Sequence, residues 1–98
     1  MKKLLLILLF LPMIGFGQSK QEESDNYSTK AWEMVENYDF ERAIYYFTKA
    51  IDLTPEDAYL FRGRASMRFL KKDLDGALSD YNKSIELLYN EMQIEDPL

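Results

Sequence analysis

The sequence predicts an all-α chain: two helix–turn–helix hairpins stacked on each other, preceded by an N-terminal signal-peptide helix. Three observations predict it. Apolar residues recur at helical spacing from Tyr27 to Leu88, the pattern repeats itself 34 positions on, and turn residues are scarce, with four Gly and three Pro in 98 residues. A strand-rich fold would need more of both.

Residues 1–17, MKKLLLILLFLPMIGFG, carry a charged start (Lys2, Lys3), an apolar middle (Leu4–Leu11) and small residues at Gly15 and Gly17. That is the build of a secretory signal, with cleavage expected after Gly17 and Gln18 as the new N-terminus. The apolar run is shorter than the ~20 residues of a membrane span, so membrane attachment is expected only if the segment is retained. The chain is therefore read as exported, periplasmic or extracellular. Residues 18–26, QSKQEESDN, offer nothing apolar to bury and are expected to be a flexible polar lead.

Residues 27–57 and 58–89 form the two repeats, and 90–98 a C-terminal tail. Ala31/Ala65, Asp39/Asp73, Ala43/Ala77, Lys49/Lys83, Ile51/Ile85 and Leu53/Leu87 are identical at the 34-residue offset, six of the 29 pairs from Tyr27/Phe61 to Pro55/Tyr89. About two would be expected from average composition. In the first repeat, Tyr27, Ala31, Met34, Val35 and Tyr38 make one amphipathic stripe, and Ala43, Ile44, Phe47, Ala50 and Ile51 the next. Asp39 is placed to cap the second helix. Thr54 is expected to cap the third, with Pro55 at its first position and Asp57 as the acid of a capping box.

In the second repeat Phe61, Ala65 and Phe69 form one stripe and Leu60, Met67 and Leu70 another, as suits a helix held between two neighbours. Asp73 caps the last helix, whose buried face is read as Ala77, Leu78, Tyr81, Ser84, Ile85 and Leu88. Small residues at 31, 43, 50, 65, 77 and 84 allow helix axes to approach to the ~8–10 Å of normal packing.

There is no His and no Cys, which removes the common metal ligands, thiol chemistry and disulfides. No cofactor is expected. Net charge is −5, falling to −7 once Lys2 and Lys3 leave with the signal, so nucleic acid is not expected as a partner. The acids and lysines sit at caps and on solvated helix faces, and no Ser lies near a base in a recognisable arrangement; the chain is not expected to be an enzyme.

Residues 38–55 (YDFERAIYYFTKAIDLTP) and 73–87 (DLDGALSDYNKSIEL) resemble the second helices of tetratricopeptide repeats. The family's first aromatic maps to Tyr27 and Phe61, its small residue to Ala31 and Ala65, its mid-repeat Ala to Ala43 and Ala77, its second aromatic to Phe47 and Tyr81, and its closing Pro to Pro55. The chain departs from the pattern at Lys30 and Arg64, where the family has Leu, and at Arg68, where it has an aromatic. Tyr38 and Lys72 replace the turn glycine, so Asn37 or Lys71 is expected to take the left-handed geometry. Gly63 suggests a shifted register for the third helix, with about two extra residues before the turn.

The resemblance implies a short right-handed α-solenoid whose first helices line a concave face that binds a protein or peptide partner. On the 34-residue register that face carries Asp25, Ser28, Trp32, Val35 and Glu36, then Tyr59, Arg62, Ser66, Phe69 and Leu70. Trp32, Glu36, Tyr59, Arg62, Ser66 and Phe69 are the candidate contacts. Trp32 is either a binding anchor or a side cover for the lead and core.

Arg62, Arg64, Arg68, Lys71 and Lys72 form a stretch without acids, read either as a receiver of a carboxylate through Arg62 or as inter-repeat pairing with Glu33 and Glu36. The carboxylate clamp of chaperone-binding members has no match at Ser28, Trp32 or Gly63. Of Tyr45 and Tyr46, one is expected on the outer side.

Two repeats are few, because each unit buries its apolar face on the next. The last helix would leave Leu78, Ile85 and Leu88 uncovered unless Met92 and Ile94 of the tail help, before Asp96-Pro97 stops it. The alternative to groove binding is therefore a homo-oligomer that stacks through exposed repeat ends without a groove ligand.

Overall fold

The computed structural model describes residues 20–95, which form four helices: α1 (20–36), α2 (Phe40–Leu53), α3 (Ala58–Leu70) and α4 (Leu74–Glu95). There is no strand among the described residues. The expected signal segment and the Asp96-Pro97 stop lie outside them. No helix of the described residues is long and apolar enough to cross a membrane.

The six small residues are what let these helices nest. Ala31, Ala43, Ala50 and Ala65 are fully buried, and Ala77 and Ser84 are 2% and 3% exposed. Around them a single core gathers Phe47, Ile51, Leu60, Phe61 and Met67, with Tyr27, Met34, Val35, Phe40 and Ile44 packed at its edge. Phe47 of α2 is wholly buried and brings the tip of its ring to the gap left by Gly63 of α3, where a Cβ would stand 2.8 Å from its Cζ. Gly63 thus leaves room for a ring of the other repeat, and it does not shift the register: both turns keep the 34-residue offset.

Those two turns are built alike. Tyr38 N–H donates to Val35 O (3.0 Å) and Asp39 N–H to Met34 O (2.8 Å); Lys72 N–H donates to Phe69 O (2.9 Å) and Asp73 N–H to Arg68 O (2.8 Å). This paired closure ends a helix through one left-handed residue. That residue is Tyr38 (φ 58°) in the first repeat and Lys72 (φ 68°) in the second, not Asn37 or Lys71. The closure fixes the position, and the side chains found there swing out to solvent. The next residue is then shared between two helices. Asp39 and Asp73 close one helix with their N–H and open the next with a carboxylate, accepting from Arg42 N and Gly76 N at 3.1 Å each.

Three further expectations are corrected. The polar lead is helical from residue 20, as the start of α1. Ser24 is 1% exposed; its hydroxyl donates to Ala50 O (3.2 Å) and lies 2.7 Å from Thr54 Oγ1. Once residues 27–35 are packed, adding helical turns costs little, and a small hydroxyl is enough to dock them on the end of α2.

Thr54 is the C-cap of α2, its hydroxyl returning to Ala50 O, while Asp57 is the N-cap of α3 and accepts from Tyr59 N at 3.1 Å. Pro55 lies in the turn between them. Tyr38, Phe69 and Leu70, placed on buried stripes by spacing, are 82%, 57% and 53% exposed, since each lies at or beyond a helix end.

The last face is open, as two repeats alone would leave it. Leu78 and Ile85 are exposed and Tyr81 and Leu88 half-buried; the tail extends α4 to Glu95 as one helix, and Met92, exposed on it, adds no cover. Pro55 stops α2 after 14 residues, whereas its counterpart Tyr89 lets α4 run for 22.

Candidate functional site

α1 and the N-terminal half of α3 enclose a shallow cavity of about 190 Å³, lined by Ser28, Trp32, Asp57, Tyr59, Leu60, Arg62, Gly63 and Ser66. Four of the six candidate contacts, Trp32, Tyr59, Arg62 and Ser66, therefore meet at one place. Glu36 and Phe69 do not line it: each is exposed about one turn further along its helix.

Trp32 does two things at once. Its ring stands edge-on to Phe47, with centroids 5.3 Å apart at 85°, so it completes the core from the side; yet it remains 48% exposed and lines the cavity. A side chain held by the core and bare on one face presents area at little further entropic cost. Across the cavity Tyr59 is exposed, and the Arg62 guanidinium lies 5.0 Å from its ring centroid. Arg62 makes no ion pair among the described residues. Ser66 is less available than its position suggests. It donates to Arg62 O (3.1 Å), so the Tyr81 hydroxyl 3.0 Å away must be the donor in their contact.

Asp57, Ser28 and Leu60 complete the lining. Asp57 was read as a capping-box acid and not as a site residue, although as the cap of the helix that carries Tyr59 and Arg62 it sits at the same mouth. Its carboxylate leaves the cavity mixed in charge, with Arg62 facing it.

The basic stretch divides. Arg64 grips Asp80 of α4 with two hydrogen bonds of 2.9 Å and reaches Thr48 of α2 at 3.1 Å. Arg68 adds a 2.8 Å bond to the same carboxylate and lies 3.8 Å from Asp73. Glu33 and Glu36, expected as partners across the repeats, pair with neither. Asp80 competes better because it projects from the partner helix of the same hairpin and is 3% exposed. Arg62 is the guanidinium left facing the cavity.

Of the tyrosine pair, Tyr45 is exposed while Tyr46 stacks on Tyr27 at 6.2 Å. Among the described residues no group of three His, Cys, Asp or Glu side chains gathers to hold a metal ion. The arrangement offers an apolar shelf, a guanidinium and an exposed phenol, a set suited to holding a ligand.

No family model matches the chain, and no solved structure matches it significantly. Three curated proteins do. A tetratricopeptide repeat protein 36 homolog of Nematostella vectensis is 34% identical over 77 residues, covering 79% of this chain and 42% of that protein. Tetratricopeptide repeat protein 36 of Xenopus tropicalis is 32% identical over 72 residues (74% and 36%), and that of Homo sapiens 35% over 72 residues (74% and 38%). The chain thus spans about two fifths of the length of the curated relatives it matches. Two hairpins at a 34-residue period, six matched small residues at their contacts and these likenesses agree: over its helical region the chain is similar to tetratricopeptide repeat proteins.

Proposed function

We propose that this chain is a non-catalytic interaction module, a short right-handed solenoid that holds a segment of a partner protein against the face shared by α1 and α3. The observation that carries the reading is Trp32, braced by Phe47 and half bare above a cavity that also presents Tyr59 and Arg62. Trp, Tyr and Arg are the residue types that dominate binding energy where two proteins meet. The likeness to tetratricopeptide repeat proteins supports the same reading. The occupant that fits best is an extended segment offering an apolar side chain to Trp32 and a carboxylate to Arg62. The signal-like pattern of residues 1–17 favours an encounter outside the cytoplasm, and the intact mass of the recovered protein would show whether they are removed.

A photo-crosslinking residue at Ser28 would capture the partner, and the same residue at Glu41 on α2 serves as the control. Against the captured partner, Trp32→Ala is expected to weaken binding by about 30-fold or more, the ~2 kcal/mol typical of a central aromatic contact. Arg62→Glu is expected to weaken it comparably. Should both variants keep every captured partner at unchanged affinity, the groove reading is wrong.

A further inference from the structure

The opposite end of the molecule carries a second surface. Leu74, Leu78, Tyr81, Ile85, Leu88 and Met92 follow one another along α4 at steps of four, three, four, three and four residues. That is an unbroken heptad seam of ~27 Å, the spacing by which one helix meets another along its length. Leu74, Leu78, Ile85 and Met92 are 59–68% exposed, as is Tyr89 beside them. In the first repeat the corresponding Ile51 is 7% exposed, within the core that α3 completes. The face that α3 covers on α2 is bare on α4, and α4 prolongs it by two turns.

We propose that this seam is occupied by α4 of a second copy, the two helices packing against each other about a two-fold axis. Two properties of the chain favour this occupant. The first is self-complementarity: a two-fold contact sets the same patch on both sides, and among the described residues α4 is where a row of large apolar side chains lies exposed along a helix. Head-to-tail stacking would instead press the seam onto the outer face of α1. That face is formed by Glu22, Asn26, Thr29 and Glu33, all exposed and none apolar.

The second is area. At roughly 100–150 Å² of bared surface apiece, the five most exposed side chains supply about 600 Å² per copy before their neighbours are counted, against ~800 Å² per partner in a standard interface. The seam shares no residue with the lining of the Trp32 cavity and meets it where the Tyr81 hydroxyl reaches Ser66, a contact that substitutions at Leu78, Ile85 and Trp32 leave in place.

Light scattering after gel filtration of the full chain, over a range of micromolar concentrations, tests the proposal. Wild type is expected at twice the chain mass, and Trp32→Ala likewise. Leu78→Asp with Ile85→Asp is expected at the monomer mass, with helix content unchanged because both side chains are already exposed. A wild type that stays monomeric throughout overturns the proposal, and so does self-association that survives the double Asp variant. Geometry is read separately, since the chain has no cysteine of its own. Asn82→Cys, beside the middle of the seam, should crosslink to itself through a bis-maleimide. Crosslinking confined to mixtures of Asn82→Cys and Glu33→Cys would mean head-to-tail stacking and would exclude the α4 pair.

Discussion

Where the first helix of each hairpin faces its partner, the two repeats use different chemistry at matched positions. Repeat one sets Lys30 beside Tyr46, its ammonium 5.8 Å from that ring and 5.7 Å from Tyr27. Repeat two, 34 residues on, sets Arg64 against Asp80 in a two-bond grip, with side chains 14% and 4% exposed. A lysine on two half-exposed rings keeps its charge in water and makes few demands on its neighbours. An arginine drawn inward must have its fork filled, and Asp80, Thr48 and the added Arg68 form a network in which no buried side-chain N or O among the described residues lacks a partner. One position in the repeat thus tolerates two solutions, and only the second is vulnerable to losing a member.

That difference sets the largest expected effect. Asp80→Ala leaves two inward guanidinium groups without their carboxylate and should cost ~3–5 kcal/mol, the usual penalty for breaking a buried pair from one side. Lys30→Ala, its counterpart in repeat one, should cost under ~1 kcal/mol. Replacing Arg64 and Asp80 together by Leu, closer to what the family places at the Arg64 position, should recover most of the loss. Urea unfolding monitored by helix signal compares the four proteins. Equal losses for Asp80→Ala and Lys30→Ala would show that the two positions carry equal weight after all.

A smaller effect sharpens the contrast between the first helices of the two hairpins, α3 covered by the preceding repeat and α1 not. Gly63 lies under the buried Phe47 ring, while its counterpart Thr29 is exposed and donates only to Asp25 O one turn back. Gly63→Ala gains up to ~1 kcal/mol of helix propensity but forces a methyl to 2.8 Å from Cζ of a ring that is 0% exposed. Overpacking of that kind costs ~1–3 kcal/mol, so a net loss of about 1 kcal/mol is expected. Thr29→Ala should change stability by less than ~0.5 kcal/mol. If Gly63→Ala stabilises the protein, the contact between the repeats is looser than the structure has it.

How far the sequence carried these features depends on where their causes lie. The period, the six small residues and the capping roles of Asp39 and Asp73 are local or repeated, and one copy corroborates the other. Trp32, Tyr59, Arg62 and Ser66 were gathered by applying the period to the face. Causes that lie across the fold left no local mark. Nothing in QSKQEESDN shows that Ser24 will meet Thr54 thirty residues later, so a helical segment reads as a polar lead. Arg64 and Arg68 read as a basic patch because their partner Asp80 lies on the following helix, while Glu33 and Glu36, on the preceding first helix, are the acids that the repeat register sets beside them. Asp57 was legible as an acid near the start of α3, with the cap given to Thr54, and its place in the cavity follows only once α1 and α3 are set side by side. Gly63 reads as a register shift when its partner, the Phe47 ring, is out of view.

The smallest expected effects fall where the two repeats agree. Tyr38 and Lys72 both hold a left-handed backbone, at φ 58° and 68°, a conformation that costs a residue bearing a Cβ ~1–2 kcal/mol. Glycine removes that cost and returns about 0.5–1 kcal/mol of it through the greater freedom of its unfolded chain. Lys72 is exposed and has no hydrogen bond or ion pair through its side chain among the described residues, so Lys72→Gly should stabilise by roughly 0.5–1 kcal/mol, raising Tm by ~2–8 °C. Tyr38 differs in one respect: its ring meets Phe40 edge-on at 6.3 Å, and Phe40 borders the core. Losing that contact offsets ~0.5 kcal/mol or more, which leaves Tyr38→Gly near neutral. Thermal unfolding of the two variants side by side therefore separates backbone relief, common to both turns, from the ring contact that only the first possesses. A larger gain at Tyr38 than at Lys72 would mean that the aromatic pair contributes nothing.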